Sequence, residues 1–179
     1  MDISNFRLRR MVYSNSETIF KWRNMDHIRQ NMYTDHIITK KEHLNWILRT
    51  LADNKKKYFI FTYKDKEIGL SCATGIEKDR CVWAYYLGEK TAPRGCGALL
   101  ELLTINKIFT LGVDTITCEV FVFNKPVIKL HTKFGFKEMR EFNVIKNGKK
   151  EKVLEMSLLR QDWLNIKPRI DSIFKKNDN

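Results

Sequence analysis

The sequence predicts an α/β domain, a mixed α+β sheet with helices on both faces. Strand-like and helix-like segments follow the order β, α, α, β, β, β, α, β, α, β, β, which fits neither a doubly wound α/β fold nor a β-sandwich. The stretch Thr115–Phe123 alternates and is rich in β-branched residues, so it predicts a central strand. Asn147-Gly148 lies between two strand-like runs and predicts a tight hairpin.

The N-terminal half supplies the first strands and helices. Residues 6–12 alternate in part and predict a short strand. After cap residues at 14–17, apolar residues continue at helical spacing to Ile28, and this helix carries Trp22-Arg23-Asn24. Thr39 is the expected cap of a second helix reaching Leu51. The β-rich runs 58–63 and 68–73 predict a hairpin, and a further strand is expected at 80–87.

The C-terminal half begins with a glycine-bearing turn that leads into a helix. The turn spans 91–100, and the apolar helix after it is expected from Gly95 to Thr110. Asn124 is the expected cap of the next helix, which ends near Lys133 and has Pro126 in its first turn, where a missing N–H costs little. A terminal amphipathic helix is expected from Gln161 onward, broken or kinked near Pro168.

Length and composition indicate one domain spanning 1–179. The 43% hydrophobic content is enough for a core, and no linker or internal repeat is visible. The end of the chain, 175–179, is expected to be a frayed tail. Apolar runs are too short to span a bilayer and no signal-peptide core is present, so we expect a cytoplasmic protein without a membrane partner.

The net charge of +12 predicts a surface that attracts anions, but it does not choose among them. The lysines are spread along the chain, and no recognised nucleic-acid motif is present, so we expect no nucleic-acid partner. Four cysteines without C-x-x-C pairing or histidines at ligand spacing predict reduced thiols and no metal site.

The glycine turn at 91–100 is the first candidate binding site. Because a strand precedes it and a helix follows it, its backbone N–H groups and the helix N-terminus are suited to hold a phosphate or pyrophosphate. The plain alternative is a glycine turn that only starts a helix.

The order of elements and two sequence blocks resemble the GNAT superfamily of acetyl-CoA-dependent N-acetyltransferases. The blocks are Arg94-Gly95-Cys96-Gly97 and Asn124-x-x-x-x-x-Leu130-x-x-Lys133-Phe134-Gly135-Phe136. The resemblance implies a mostly antiparallel sheet and acetyl-CoA as the acetyl donor. It places the cofactor at Tyr85, Tyr86, Leu87, Arg94, Gly95, Cys96, Gly97, Ala98 and Asn124. One position departs from the family loop, since Leu99 stands where a small residue is usual.

A narrower resemblance covers the N-terminal half. Phe20-Lys21-Trp22-Arg23-Asn24, Met32-Tyr33, Glu42-His43-Leu44-x-Trp46-Ile47 and Lys57-Tyr58-Phe59 are similar to acetyltransferases of the bacterial pseudaminic acid pathway. Those enzymes acetylate the 4-amino group of UDP-4-amino-4,6-dideoxy-N-acetyl-L-altrosamine on the way to flagellin glycosylation. The similarity gives the candidate acceptor residues Arg23, Met32, Tyr33, His43, Trp46 and Trp83, although core packing would also explain each aromatic residue alone.

Two residues are candidates for proton transfer. Glu119 lies mid-strand among apolar residues and could accept the proton of the amine, or it could simply face solvent. His131 stands where the family often has a tyrosine that protonates the departing thiolate, and histidine can also donate a proton. A packed or solvated His131, with Tyr85 or Tyr86 in that role, is the alternative.

Two other functions fit the same sequence. One is an N-terminal acetyltransferase of the ribosomal-protein type, and the other is a non-catalytic module that binds acetyl-CoA or nucleic acid. The hairpin around Asn147-Gly148 is a candidate homodimer interface.

Overall fold

A computed structural model of the chain describes residues 2–175, so the expected tail lies outside the described residues except for residue 175. The described strands form one seven-stranded sheet in the order β1-β2-β3-β4-β5-β7-β6. The strands are β1 (Phe6–Arg10), β2 (Lys57–Tyr63), β3 (Lys66–Thr74), β4 (Arg80–Leu87), β5 (Thr115–Phe121), β6 (Lys137–Lys146) and β7 (Lys149–Leu159). Neighbouring strands run antiparallel except β4 and β5, which are parallel. This confirms the mixed, mostly antiparallel sheet.

Six α-helices of the described chain flank the sheet. They are α1 (Ser16–Arg23), α2 (Asp26–Arg29), α3 (Lys40–Ala52), α4 (Cys96–Phe109), α5 (Lys125–Lys133) and α6 (Arg160–Lys175). None of them has both the length and the apolar character needed to cross a bilayer.

Local signals in the sequence account for several boundaries. Thr39 caps α3 and forms a reciprocal pair with Glu42, whose side chain accepts from the Thr39 N–H. Asn147 and Gly148 adopt φ angles of 50° and 74°, which a two-residue hairpin turn requires. Both predictions are confirmed.

Two boundaries differ from the prediction. The first helix ends at Arg23, because Met25 is extended with φ −73° and ψ 136°, and the chain restarts as the short α2. Helix α6 continues through Pro168, so of the break or kink expected there the break is excluded. The carbonyl that loses its helical donor belongs to Leu164, an exposed residue, so water can replace the missing hydrogen bond.

The sheet separates two apolar clusters. The larger one packs α4 and α6 against one face and includes Trp83, Leu99 and Ile116. The smaller one packs α1 and α3 against the other face and includes Trp22, Ile47 and Leu70. Because β4 is covered on both faces, alternate residues of this strand belong to opposite sides of the molecule.

Candidate active site

The parallel strands β4 and β5 separate soon after they begin. Their pairing covers only Arg80–Val82 opposite Thr115–Thr117. Beyond that point β4 stays paired with β3 as far as Leu87, and β5 stays paired with β7 as far as Phe121. The facing edges therefore diverge into a wedge, where backbone N–H and C=O groups can bind an extended ligand chain.

The glycine turn lies where β4 leads into α4. Gly95 is the N-cap of α4 with a φ of 85°, and the first turn of the helix has no acidic side chain. Among the described residues, the N–H groups of Gly95 and Gly97 have no hydrogen-bond acceptor. A Cβ at Gly95 would meet nothing within 4 Å, so the turn opens to its surroundings. Exposed Arg94 adds a positive charge, and the turn can therefore hold an anion.

The predicted cofactor residues of β4 divide between the two faces. Leu87 and Tyr85 pack against the larger cluster, and the Tyr85 hydroxyl lies 3.4 Å from Glu101 Oε2. Tyr86 packs against the smaller cluster and lines a cavity on the α1 and α3 side. Because these side chains point to opposite faces of the sheet, only the backbone groups of the three residues can line the wedge together.

The rest of the predicted cofactor set lies on α4 and α5. On α4, the side chains of Cys96 and Leu99 are buried, while Ala98 is half-buried in the first turn of the helix. Asn124 is the N-cap of α5, but its side chain donates to Asn31 at 3.3 Å instead of capping the helix. The large Leu99 side chain is thus accommodated in the core.

Glu119 faces solvent on the same face of the sheet as Tyr86. Its carboxylate accepts a hydrogen bond from the Tyr33 hydroxyl. The Tyr33 ring also packs edge-on against Phe121, with the ring centroids 5.6 Å apart. Burial and the nearby Glu119 raise the pKa of Tyr33, so this hydroxyl stays protonated and donates. The structure thus brings together two predicted residues that are 86 positions apart in the chain.

His131 lies inside the protein, on the face opposite the cavity. Its side chain is 4% exposed, and Nδ1 is 2.9 Å from Oε1 of Glu101, which is fully buried. The rings of Trp83 and Phe136 lie at centroid distances of 5.0 and 5.3 Å. Burial raises the pKa of Glu101, while the contact with His131 lowers it. The sequence analysis missed Glu101, although a carboxylate within an apolar helix was a visible signal.

A cavity of about 420 Å³ lies between α1, α3 and the sheet. Four predicted acceptor residues line it, Arg23, Met32, His43 and Trp46. The cavity also contains residues that the sequence analysis did not select, including His36, Glu42 and Tyr58. The Nε2 atom of His36 lies 3.4 Å from Oε1 of Glu42.

Two polar atoms of cavity-lining residues are buried without a partner. In the described part of the chain, Arg23 Nη1 and the Tyr86 hydroxyl make no hydrogen bond. Burial raises the pKa of Tyr86 despite the nearby Arg23, so its hydroxyl stays a neutral donor. Unsatisfied buried donors cost about 1–3 kcal/mol each, so a bound ligand that accepts from them would recover stability.

His43 already has a partner within the protein. Its Nε2 lies 2.8 Å from the carbonyl oxygen of Ser16, which can only accept, so the Nε2–H donates a hydrogen bond to it. Burial lowers the pKa of His43, which favours the neutral ring. Because Nε2 is already engaged, the His43 ring lines the cavity mainly as a packing surface beside Trp46, at a centroid distance of 5.6 Å.

Trp83 does not join the other acceptor candidates. It is 1% exposed and lies in the larger cluster, stacked on Tyr85 and Phe136. Trp83 and Tyr86 are three residues apart on one strand, so their side chains point to opposite faces. The structure corrects the placement of Trp83, which does not line the cavity.

Comparison with known proteins agrees with this architecture. Residues 5–137 match the family model described as "Acetyltransferase (GNAT) domain". Two curated relatives named "Acetyltransferase PseH", from two strains of Campylobacter jejuni, are 33% and 34% identical over 121 and 119 residues. These matches cover 67% and 66% of this chain, and 75% and 74% of the relatives.

Solved structures share the fold. A spermidine N-acetyltransferase from Vibrio cholerae, determined with CoA and spermine, has a TM-score of 0.82 at 20% identity and covers 90% of this chain and 99% of its own. The N-acetyltransferase PseH of Campylobacter jejuni has a TM-score of 0.64 at 22% identity and covers 87% of this chain and 99% of its own. The family match and the curated relatives establish that the chain belongs to the GNAT family and is an N-acetyltransferase.

Proposed function

We propose that this enzyme transfers the acetyl group of acetyl-CoA to the 4-amino group of UDP-4-amino-4,6-dideoxy-N-acetyl-L-altrosamine, in the biosynthesis of pseudaminic acid for flagellin glycosylation. The observation that carries the proposal is the pair of unpartnered donors, Arg23 Nη1 and the Tyr86 hydroxyl, buried at a 420 Å³ cavity. A guanidinium that lacks a carboxylate partner suits the phosphates of a nucleotide sugar. The PseH-named relatives support the same acceptor.

The donor side of the proposal rests on the glycine turn and the wedge. The free N–H groups of Gly95 and Gly97, together with Arg94, are suited to the pyrophosphate of acetyl-CoA. The unpaired edge of β4 beyond Val82 is suited to the amides of its pantetheine arm. Bound there, acetyl-CoA would supply an acetyl group already activated as a thioester.

The residues around the wedge can carry the proton transfers. Glu119 would accept the proton that the amine loses when its nitrogen bonds to the acetyl carbon, through water where needed. As the carbon–sulfur bond breaks, the departing thiolate would take up a proton from Glu119 or from water, because His131 is buried against Glu101 on the opposite face of the sheet. A backbone N–H of β4 would polarise the thioester carbonyl.

The charged residues of the cavity favour a nucleotide sugar over a polyamine as the acceptor. A polyamine is cationic and needs several carboxylates, whereas Glu42 is the one carboxylate among the described residues that line this cavity. We would incubate the enzyme with acetyl-CoA and UDP-4-amino sugars, ribosomal peptides or polyamines, and measure thiol release. Release with the UDP-amino sugars alone is expected. Release with ribosomal peptides would favour the ribosomal-protein type. No release with any acceptor, alongside tight acetyl-CoA binding, would favour the non-catalytic module.

Arg23→Met tests the anion-binding role directly. Losing a charge-assisted hydrogen bond should raise the acceptor KM about 10–100-fold, while the KM for acetyl-CoA changes little. Arg49→Met is the matched control, because Arg49 is exposed on α3 and is not among the cavity residues. An unchanged acceptor KM in Arg23→Met would contradict the proposed phosphate contact.

A further inference from the structure

Trp22 joins the helix of the acceptor cavity to the residues that lead from β4 into the glycine turn. It is 1% exposed on α1, directly before Arg23, and packs in the smaller cluster. Its ring meets Tyr86 edge-on, with centroids 6.3 Å apart and an interplanar angle of 89°. The Trp22 indole therefore contacts Tyr86 of the cavity, and it does so from the same helix that carries Arg23.

Gly88, the first residue after β4, lies directly against this indole. A Cβ added to Gly88 would stand 2.1 Å from Trp22 Cδ2 and 2.2 Å from Cε2. Such distances exclude any side chain, so the backbone itself packs on the ring. The Gly88 N–H also donates to the Ile68 carbonyl at 2.8 Å, which fixes the turn from the β3 side.

Glu89 completes the contact. Its Oε1 accepts the indole Nε1–H of Trp22 at 2.7 Å, and its carbonyl accepts from the Ala92 N–H at 3.2 Å. This carboxylate is an unexpected neighbour for a turn that holds an anion, because its negative charge repels the ligand. Within the protein, the same carboxylate is the acceptor of the buried Trp22 indole N–H.

We infer that Trp22 and Glu89 are positioning residues for the cofactor, which hold residues 88–95 in the shape that binds acetyl-CoA. The inference rests on the proposed function of that turn. A turn fixed before the ligand arrives loses less conformational freedom on binding, so the affinity is higher. Because the same indole packs against Tyr86, the acceptor cavity and the cofactor turn share one support.

The test is the dissociation constant for acetyl-CoA, measured by calorimetry on the enzyme. Trp22→Phe keeps a ring but removes the N–H donor, and it should weaken acetyl-CoA binding about five- to tenfold. Trp163→Phe is the matched control, because Trp163 is also buried and donates its indole N–H, to Asn106 at 3.2 Å, away from the turn. It should lose stability without losing acetyl-CoA affinity.

Variants of Glu89 distinguish a positioning role of this residue from a purely electrostatic effect on acetyl-CoA. Glu89→Ala and Glu89→Gln both remove a negative charge, so a purely electrostatic role predicts tighter acetyl-CoA binding in both. Under our inference Glu89→Ala weakens binding about fivefold, whereas Glu89→Gln, whose amide oxygen still accepts the indole N–H, keeps the wild-type affinity. The double variant Trp22→Phe/Glu89→Ala should bind no more weakly than the weaker single variant.

The outcomes distinguish this inference from the proposed function. If Trp22→Phe and Glu89→Ala bind acetyl-CoA as tightly as the wild type, the positioning role is overturned, while the proposal that acetyl-CoA is the acetyl donor is unaffected. If the wild type itself does not bind acetyl-CoA, the proposed function fails first. Equal tightening in both Glu89 variants would also overturn the positioning role.

Discussion

At the scale of residues, the carboxylates of Glu119 and Glu101 have opposite surroundings. Glu119 is exposed and accepts from Tyr33, whereas Glu101 is fully buried against His131. An exposed carboxylate can exchange a captured proton with water, which a base needs in every turnover. Glu101 lacks that access, and burial raises its pKa. We therefore expect Glu119 to accept the amine proton and Glu101 to orient the His131 ring.

Glu119→Gln tests this assignment. The amide keeps the size of the side chain but cannot accept a proton, so kcat should fall about 100-fold. The dissociation constant for acetyl-CoA should stay within about twofold, because the proposed anion contacts lie on the glycine turn. Glu141→Gln, an exposed carboxylate paired with Lys152 on the edge of the sheet, is the control. Unchanged turnover in Glu119→Gln would remove this residue from the mechanism.

At the scale of elements, signals within a few residues were readable from the sequence. The Thr39 cap, the Asn147-Gly148 turn and the start of α4 all follow from residues that are neighbours in the chain. The division of α1 from α2 was not predicted, because apolar residues continue at helical spacing to Ile28 and tertiary packing decides where the helix ends.

The candidate site was predictable only in part, because its residues meet through the topology of the sheet. The contact between Tyr33 and Glu119 joins a loop to a strand far along the chain, and no local pattern encodes it. The opposite orientation of Trp83 and Tyr86 was readable, since an odd separation on a strand reverses the face. The face of the sheet that carries the cavity could not be predicted, because it depends on how α1 and α3 pack against the sheet.

The N-cap of α4 gives the test at this scale. Gly95→Ala places a Cβ on a residue with φ of 85°, which should cost about 1 kcal/mol of stability and distort the free N–H groups of the turn. Its acetyl-CoA dissociation constant should rise about tenfold or more. Gly112→Ala is a matched control, because Gly112 has φ of 92° with equally open surroundings at the far end of α4. Equal stability losses with weakened binding in Gly95→Ala alone are expected. Equal acetyl-CoA affinity in both variants would contradict the role of the turn.

At the scale of the whole molecule, 33 basic and 21 acidic residues give a field that draws anions toward the surface. The proposed donor and the proposed acceptor are both phosphate-bearing anions, so both would be attracted. This attraction is long-range and therefore sensitive to salt, since the screening length falls from about 10 Å at 0.1 M to about 3 Å at 1 M. The pairing of acidic groups with neighbouring bases, as at Lys137 and Asp162, leaves the excess positive charge to act at a distance.

We therefore expect kcat/KM for acetyl-CoA to fall about three- to tenfold as sodium chloride rises from about 50 to about 500 mM. The control is S-acetyl-N-acetylcysteamine, a thioester donor without phosphates, whose much lower kcat/KM should change little over the same range. Because both donors react through the same acetyl group, their difference isolates attraction of the phosphates from any effect of salt on catalysis. An equal fall for both donors would place the salt effect on the chemical step or on the fold. No fall for either would mean that the net charge does not assist capture of the donor.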